Sequence, residues 1–119
     1  MSVTAMAAKE NVIISASADE RICFQTFQDL ESKIYLELED AKGFGAISII
    51  SNFTMAGGWN GAIYILSDNG VLQDTINYHR ERITCIKFIP CDELEDEDLS
   101  EFIAVGSSDG KISLWCFRR

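Results

Sequence analysis

The fold of this chain is indicated most clearly near its end, by Gly106-Ser107-Ser108-Asp109-Gly110-Lys111-Ile112-Ser113-Leu114. Small residues lead into an Asp-Gly turn, and a strand with alternating apolar side chains follows it. Two earlier stretches align with this one without a gap, namely Ala16-Ser17-Ala18-Asp19-Glu20-Arg21-Ile22-Cys23-Phe24 and Gly57-Gly58-Trp59-Asn60-Gly61-Ala62-Ile63-Tyr64-Ile65. The turn residues Asp19, Asn60 and Asp109 stand 41 and 49 positions apart. A period of about 40 to 45 residues is typical of the four-stranded blades of a β-propeller.

Alternation and turn residues also place the strands within each repeat. The predicted strands cover residues 3–7, 12–15, 22–27 and 34–38, then 46–50, 53–56, 62–66 and 71–76, then 83–89, 102–106 and 112–117. The sequence therefore predicts an all-β chain, a partial β-propeller of about three blades made of four-stranded antiparallel sheets, the last lacking its outer strand. The blades are expected at residues 1–42, 43–78 and 79–119 of a single domain, 1–119.

Three blades are too few for a closed ring, which typically needs about four to eight. We therefore expect the chain to be the C-terminal part of a larger propeller, or a product that starts at an internal Met. An isolated copy would expose the flanks of both end blades and an unpaired strand edge, and it should associate through them.

The charge of the chain is concentrated in one segment. The 119 residues include 19 acids and 10 bases, a net charge of −9, and seven of the acids fall between residues 92 and 101. This acidic loop, residues 91–101, is predicted to be a solvated insertion outside the blade. Its central Asp96, Glu97 and Asp98 are candidate contacts for a basic protein partner. The remaining balance is −2 with no basic stripe, which disfavours direct binding to nucleic acid.

Other function classes have little support in the sequence. Because no apolar run reaches the length of a membrane span and no secretory signal leads the chain, we expect a soluble intracellular protein with no membrane partner. Cys23, Cys85, Cys91 and Cys116 lie in or beside apolar strands and are expected to be small core residues. His79 is evenly spaced with Cys85 and Cys91, but a fourth metal ligand is missing. We expect no metal, no cofactor and no small-molecule substrate.

The third repeat carries polar residues that the other repeats lack as a set. His79, Ser107, Asp109 and Trp115 occupy positions where a structural hydrogen-bond network can run from the indole N–H through hydroxyl and imidazole to carboxylate. The alternative is a hydrolase triad of Ser107, His79 and Asp109. The structural interpretation is preferred because no G-x-S-x-G elbow is present and a Trp donor has no role in a triad.

One aromatic side chain stands at the tip of a turn. Trp59 takes the place that Ala18 and Ser108 have in the other repeats. A large aromatic residue there is a candidate interface anchor, and packing on the neighbouring blade is the alternative.

Together the repeats resemble the WD-repeat family over residues 3–117, although the family's Trp-Asp pair is Trp115-Cys116 here. Residues 56–65, 77–88 and 104–115 look like the C-terminal blades of fungal ASTRA-associated WD-repeat proteins and of related G-protein beta-like proteins. This resemblance implies a nuclear, non-enzymatic subunit of the chromatin-linked ASTRA complex, acting with protein partners in chromatin remodelling and in the assembly of phosphatidylinositol-kinase-like kinases. A rival with the same fold is a substrate-recognition propeller of a ubiquitin ligase.

Overall fold

The computed structural model describes residues 3–9, 12–18, 20–26, 33–50, 53–67, 70–89 and 100–118. Their strands are β1 (Val3–Lys9), β2 (Val12–Ser17), β3 (Arg21–Thr26), β4 (Lys33–Glu37), β5 (Phe44–Ile50), β6 (Phe53–Gly58), β7 (Ala62–Ser67), β8 (Leu72–Asn77), β9 (Ile83–Ile89), β10 (Ser100–Ser107) and β11 (Ile112–Arg118). The predicted strands are confirmed, with bounds that differ by at most two residues. Alternation of apolar residues was therefore sufficient to locate them.

A short 3-10 helix, Glu39–Ala41, joins β4 to β5. Within the described ranges, no helix is long and apolar enough to cross a membrane. The acidic loop falls almost wholly outside those ranges, so Asp96, Glu97 and Asp98 remain candidate contacts on sequence alone.

The strands form three antiparallel sheets in chain order. The first sheet is β1-β2-β3-β4 and the second is β5-β6-β7-β8, while the third has three strands in the described part of the chain, β9-β10-β11. The first strands of successive sheets contact one another, β1 against β5 and β5 against β9. The predicted fold class, an all-β partial β-propeller of about three antiparallel blades, is confirmed.

The core is two layers of apolar side chains, one on each side of the second sheet. Side chains such as Ala56, Tyr64 and Leu66 face the first sheet. Their neighbours along the same strands, including Met55 and Ile63, face the third sheet. Because successive residues of a strand point to opposite faces, an apolar run is what a sheet buried on both faces requires.

The cysteines are not all core residues. Cys23 and Cys85 are half-buried, and Cys91 lies outside the described residues. The expectation is wrong for Cys116, which is exposed. It lies on the same side of β11 as Ile112 and Leu114, and that side faces away from the second sheet.

Candidate interaction surface

Several connections between described strands meet at one end of the sheets, and four of them form what we call the loop face: residues 38–43, 59–61, 78–82 and 108–111. Backbone hydrogen bonds join them in pairs. The amide of Asn60 donates to the carbonyl of Ala41 at 3.1 Å, and the amide of Ser108 donates to the carbonyl of Arg82 at 2.8 Å. Gly61 packs so closely on residue 79 that a Cβ there would lie 2.2 Å from its carbonyl oxygen. The loop face is therefore a fixed surface rather than a set of independent loops.

Trp59 lies between two connections of this surface. Its amide donates to the carbonyl of Gly43 at 2.9 Å, and its ring covers Gly43 so closely that a Cβ at that glycine would clash with it. The guanidinium carbon of Arg82 stands 4.4 Å from the centroid of the indole, a cation–π distance. The half-buried indole thus packs on a residue that leads into the neighbouring sheet. Its role as an interface anchor stays a prediction.

Tyr78 is an exposed aromatic residue that the sequence analysis did not single out. Its side chain is 57% exposed. The ring meets the imidazole of His79 edge to face at 5.0 Å between centroids, and the indole of Trp115 at 5.7 Å. In the sequence, only the position of Tyr78 next to His79 points to this residue. Its contact with Trp115 cannot be predicted from the sequence because that contact depends on how the third sheet packs.

The hydroxyl that joins Trp115 to His79 is that of Ser113 and not the expected one of Ser107. The indole Nε1 of Trp115 donates to Ser113 Oγ at 2.7 Å, and His79 Nε2 lies 2.7 Å from the same oxygen. Ser113 and Trp115 stand two residues apart on β11, so their side chains share the face that looks toward His79. His79 is buried and Trp115 is half-buried against the core between the second and third sheets.

Ser107 and Asp109 form a separate pair in the next turn. The hydroxyl of Ser107 donates to Asp109 Oδ1, and the amide of Lys111 donates to the same oxygen at 3.1 Å. The hydrogen bond from Ser107, followed by that from the Lys111 amide, lowers the pKa of Asp109 below its usual value. The carboxylate therefore holds the turn that starts β11.

This arrangement differs from a hydrolase triad in which a carboxylate orients the histidine and the histidine activates a serine. Asp109 is bonded to Ser107, and the buried Nδ1 of His79 has no hydrogen-bond partner among the described residues. The four predicted residues thus belong to two clusters, His79 with Trp115 and Ser107 with Asp109. Both clusters are suited to fixing strands and turns.

Between the first and second sheets lies an open groove of about 440 Å³. Its lining is largely polar and consists of Glu37, Leu38, Asp40, Asn60, Tyr64, Leu72, Thr75 and Asn77. Asn60 Nδ2 donates to the hydroxyl of Tyr64 at 3.0 Å, and Glu37 is paired with Arg21 at 3.0 Å. Among the described residues, no three His, Cys, Asp or Glu side chains are grouped to hold a metal ion.

Known proteins share this fold. Residues 70–116 match the model of the WD domain, G-beta repeat family. The crystal structure of Saccharomyces cerevisiae Sqt1 is similar over 99% of this chain, with a TM-score of 0.76 and 12% sequence identity. The WD40 beta-propeller domain of Doa1 is similar over 93% of the chain, with a TM-score of 0.72 and 15% identity. No curated protein sequence matches the chain.

These similarities establish the fold and not the activity, because the identities are low. The chain spans 32% of the Sqt1 chain and 36% of the Doa1 chain. The sequence match covers the last strand of the second sheet and most of the third, while the structural match extends over all three sheets. The chain therefore has the architecture of three consecutive sheets of a WD40 β-propeller, with a WD repeat recognised by sequence over residues 70–116.

Proposed function

We propose that the chain is part of a protein-interaction scaffold that binds its partner through the loop face. The exposed ring of Tyr78 and the stacked pair of Trp59 and Arg82, which all lie on connections of the loop face, are the observation that carries this proposal. Tyr, Trp and Arg are the residues most enriched in the energetic centres of protein interfaces. Loops held on a rigid scaffold are also where binding residues concentrate. WD40 propellers typically serve as non-enzymatic scaffolds, which agrees with this proposal.

We further propose that this scaffold is a nuclear subunit of the ASTRA complex, acting in chromatin remodelling and kinase assembly. Support comes from the resemblance of residues 77–88 and 104–115 to the fungal ASTRA-associated proteins. Both segments overlap the part of the chain that matches the WD-repeat family model. The partners would be proteins, since the surface outside the acidic loop is close to neutral.

The first experiment tests the loop face. Tagged wild-type chain is purified from its host cells, its partners are identified by mass spectrometry, and the double variant Tyr78→Ala/Arg82→Ala is treated in parallel. We expect the variant to lose the partners while it stays folded, with a melting temperature several degrees lower because the ring contacts of Tyr78 and the cation–π contact of Arg82 are removed. Val71→Ala is the matched control, since Val71 is 61% exposed and lies at the opposite end of the second sheet. Partners retained by the double variant would exclude the loop face.

The identity of the partners tests the finer proposal separately. Recovery of other ASTRA subunits, with nuclear fluorescence of the tagged chain, is the expected result. A cytoplasmic distribution with ubiquitin-ligase subunits in the purified complex would support the rival propeller instead. Either result leaves the outcome for the loop face unchanged.

A further inference from the structure

The second and third sheets place equivalent residues toward the sheet before them, and these residues have different surroundings. In the third sheet, Ser113 of β11 is hydrogen-bonded to the buried imidazole of His79. In the aligned repeats, Tyr64 of β7 has the place of Ser113. Tyr64 lines the open groove between the first and second sheets. A cluster of the chain's own side chains in one sheet therefore corresponds to a groove in the other.

Asp40 has the place of His79 in this comparison. Phe44 and Ile83 begin the first strands of their sheets, and each lies opposite the end of the second strand just outside a bulge. Asp40 stands four residues before Phe44, as His79 stands four residues before Ile83. Asp40 is exposed on the wall of the groove, and it forms no ion pair with another described residue. The second sheet thus has a carboxylate where the third has an imidazole.

The hydroxyl of Tyr64 is held in place with its proton unused. The side chain is 5% exposed, and its ring packs edge to face on Phe44 at 6.2 Å between centroids. Asn60 Oδ1 accepts the amide of Ala62 at 3.0 Å, which orients the side-chain amide so that Nδ2 donates to the Tyr64 hydroxyl. The hydroxyl therefore acts as an acceptor, and its own proton has no acceptor among the described residues. A buried donor of this kind favours a ligand that brings an acceptor.

The charge of the groove favours a cation. Glu37 and Asp40 stand on its wall, and its described lining includes no Lys or Arg. Glu37 is paired with Arg21, but both side chains are more than half exposed, so this contact contributes little and can be exchanged. Thr75 and Asn77 of β8 add side-chain oxygens. The volume of about 440 Å³ lies within the range of about 300 to 1,000 Å³ of ligand sites.

We propose that this groove binds an arginine side chain on an extended segment of a partner protein. The guanidinium takes the place that the imidazole of His79 has in the third sheet and donates to the carboxylates of Asp40 and Glu37. A main-chain carbonyl of the same segment accepts the proton of Tyr64, which a free cation could not do. Arginine fits because its planar group directs several donors toward carboxylates, while its stem can pack on Leu38 and Leu72.

This inference rests on the proposed scaffold function in one respect, that the partner is a protein. Asp40 and Asn60 belong both to the groove and to connections of the loop face, so one partner can contact both sites. The inference adds the chemistry of the partner, a segment that carries arginine.

Titration of the isotope-labelled full chain with the acetylated and amidated peptide Ala-Ala-Arg-Ala-Ala tests the proposal by nuclear magnetic resonance. We expect saturable shifts of the side-chain amide signals of Asn60 and Asn77, with a dissociation constant of about 1 mM or below. Citrulline in place of the arginine keeps the shape and removes the charge, and it should weaken binding about 10-fold. Equal binding of the citrulline peptide would overturn the proposal.

Substitutions in the groove test its residues. Asp40→Asn should raise the dissociation constant about 10-fold, and Tyr64→Phe about 3-fold because it removes one uncharged hydrogen bond. Asp74→Asn is the matched control and should bind as wild type does, since Asp74 lies on β8 opposite Ile65, on the other face of the sheet. Unchanged binding by Asp40→Asn, or shifts confined to the acidic loop, would overturn the proposal. Glu37→Gln replaces Tyr64→Phe if circular dichroism shows that variant unfolded.

The double variant Tyr78→Ala/Arg82→Ala separates this inference from the proposal for the loop face. Neither residue is among the described ones that line the groove, so this variant should bind the arginine peptide as wild type does. Lost partners together with absent peptide binding by the wild-type chain would overturn the groove alone. Retained partners together with normal peptide binding would overturn the loop face alone.

Discussion

The second and third sheets are built from aligned repeats, yet apolar residues at equivalent positions are buried in the second sheet and exposed in the third. Ile63 and Ile112 hold the same place after the turn, and they are 0% and 78% exposed. The local sequence fixes the turn and the alternation of each strand. Burial depends instead on whether another sheet packs on the strand. The same alternating pattern therefore contributes more stability in the second sheet, where its apolar side chains are buried, than in the third.

The largest difference should appear when these two residues are truncated. Ile63→Ala should lower the free energy of unfolding by about 3 to 4 kcal/mol, because it leaves a cavity in a packed core. Ile112→Ala should lower it by about 0.5 kcal/mol or less, because the side chain is largely in water. Urea denaturation monitored by tryptophan fluorescence, with the protein dilute enough to be monomeric, measures both values.

A concentration series serves as the control. A cost of Ile112→Ala that grows with protein concentration would show that association between chains covers this side chain. Equal costs for the two variants in dilute solution would contradict the difference in burial between the two sheets.

Most of the fold could be predicted because strands are local. The alternating residues and the small-residue turns located β1–β11 to within two residues. Exposure was harder to predict, as Cys116 illustrates, because an apolar strand residue is buried only where a neighbouring sheet covers it. Ile112 aligns with Ile63, so the sequence alone predicts the same burial for both residues.

The site could be predicted only in part. His79 and Trp115 share a cluster, as their positions in the repeat suggested, but through Ser113, whose side of β11 follows from its spacing to Trp115. The stacking of Arg82 on Trp59 joins residues far apart in sequence and depends on how two sheets pack. No pattern within one repeat contains that information.

The turns before β7 and β11 give a second comparison of the two sheets. Gly61 and Gly110 have left-handed φ values of 89° and 84°. A Cβ at Gly61 would also lie 2.2 Å from the carbonyl oxygen of His79, whereas a Cβ at Gly110 would meet nothing within 4 Å. Gly61→Ala should therefore cost about 3 kcal/mol, and Gly110→Ala about 1 kcal/mol from backbone strain alone. Thermal unfolding of both variants checks this, and equal losses would show that the clash is relieved.

The first sheet has a residue other than glycine at the same position of its turn, and its backbone is strained. Glu20 occupies the position of Gly61 and Gly110 and has a φ of 71°. Glu20→Gly should raise the free energy of unfolding by about 0.5 kcal/mol, because relief of strain exceeds the added entropy of the unfolded chain. Glu20→Ala is the matched control, since it removes the carboxylate and keeps the strained φ. A gain in the alanine variant as well would assign the effect to charge.

The smallest expected effect on stability concerns the carboxylate of Asp109, in the turn between β10 and β11. Asp109 Oδ1 accepts the amide of Lys111 at 3.1 Å, and Asn60 Oδ1 accepts that of Ala62 at 3.0 Å in the second turn. Asp109→Asn therefore keeps the turn and removes only the charge.

The pKa of Asp109 is lowered by the hydrogen bond from Ser107, so the carboxylate stabilises the fold above its ordinary pKa of 3.8 and ceases to do so as the pH falls through the lower folded value. Urea denaturation at a series of pH values should show wild type more stable than Asp109→Asn at neutral pH, with the difference lost below about pH 4. The difference should be small because the carboxylate is exposed. A difference that grows toward acid pH would mean that Ser107 does not hold the ionised form.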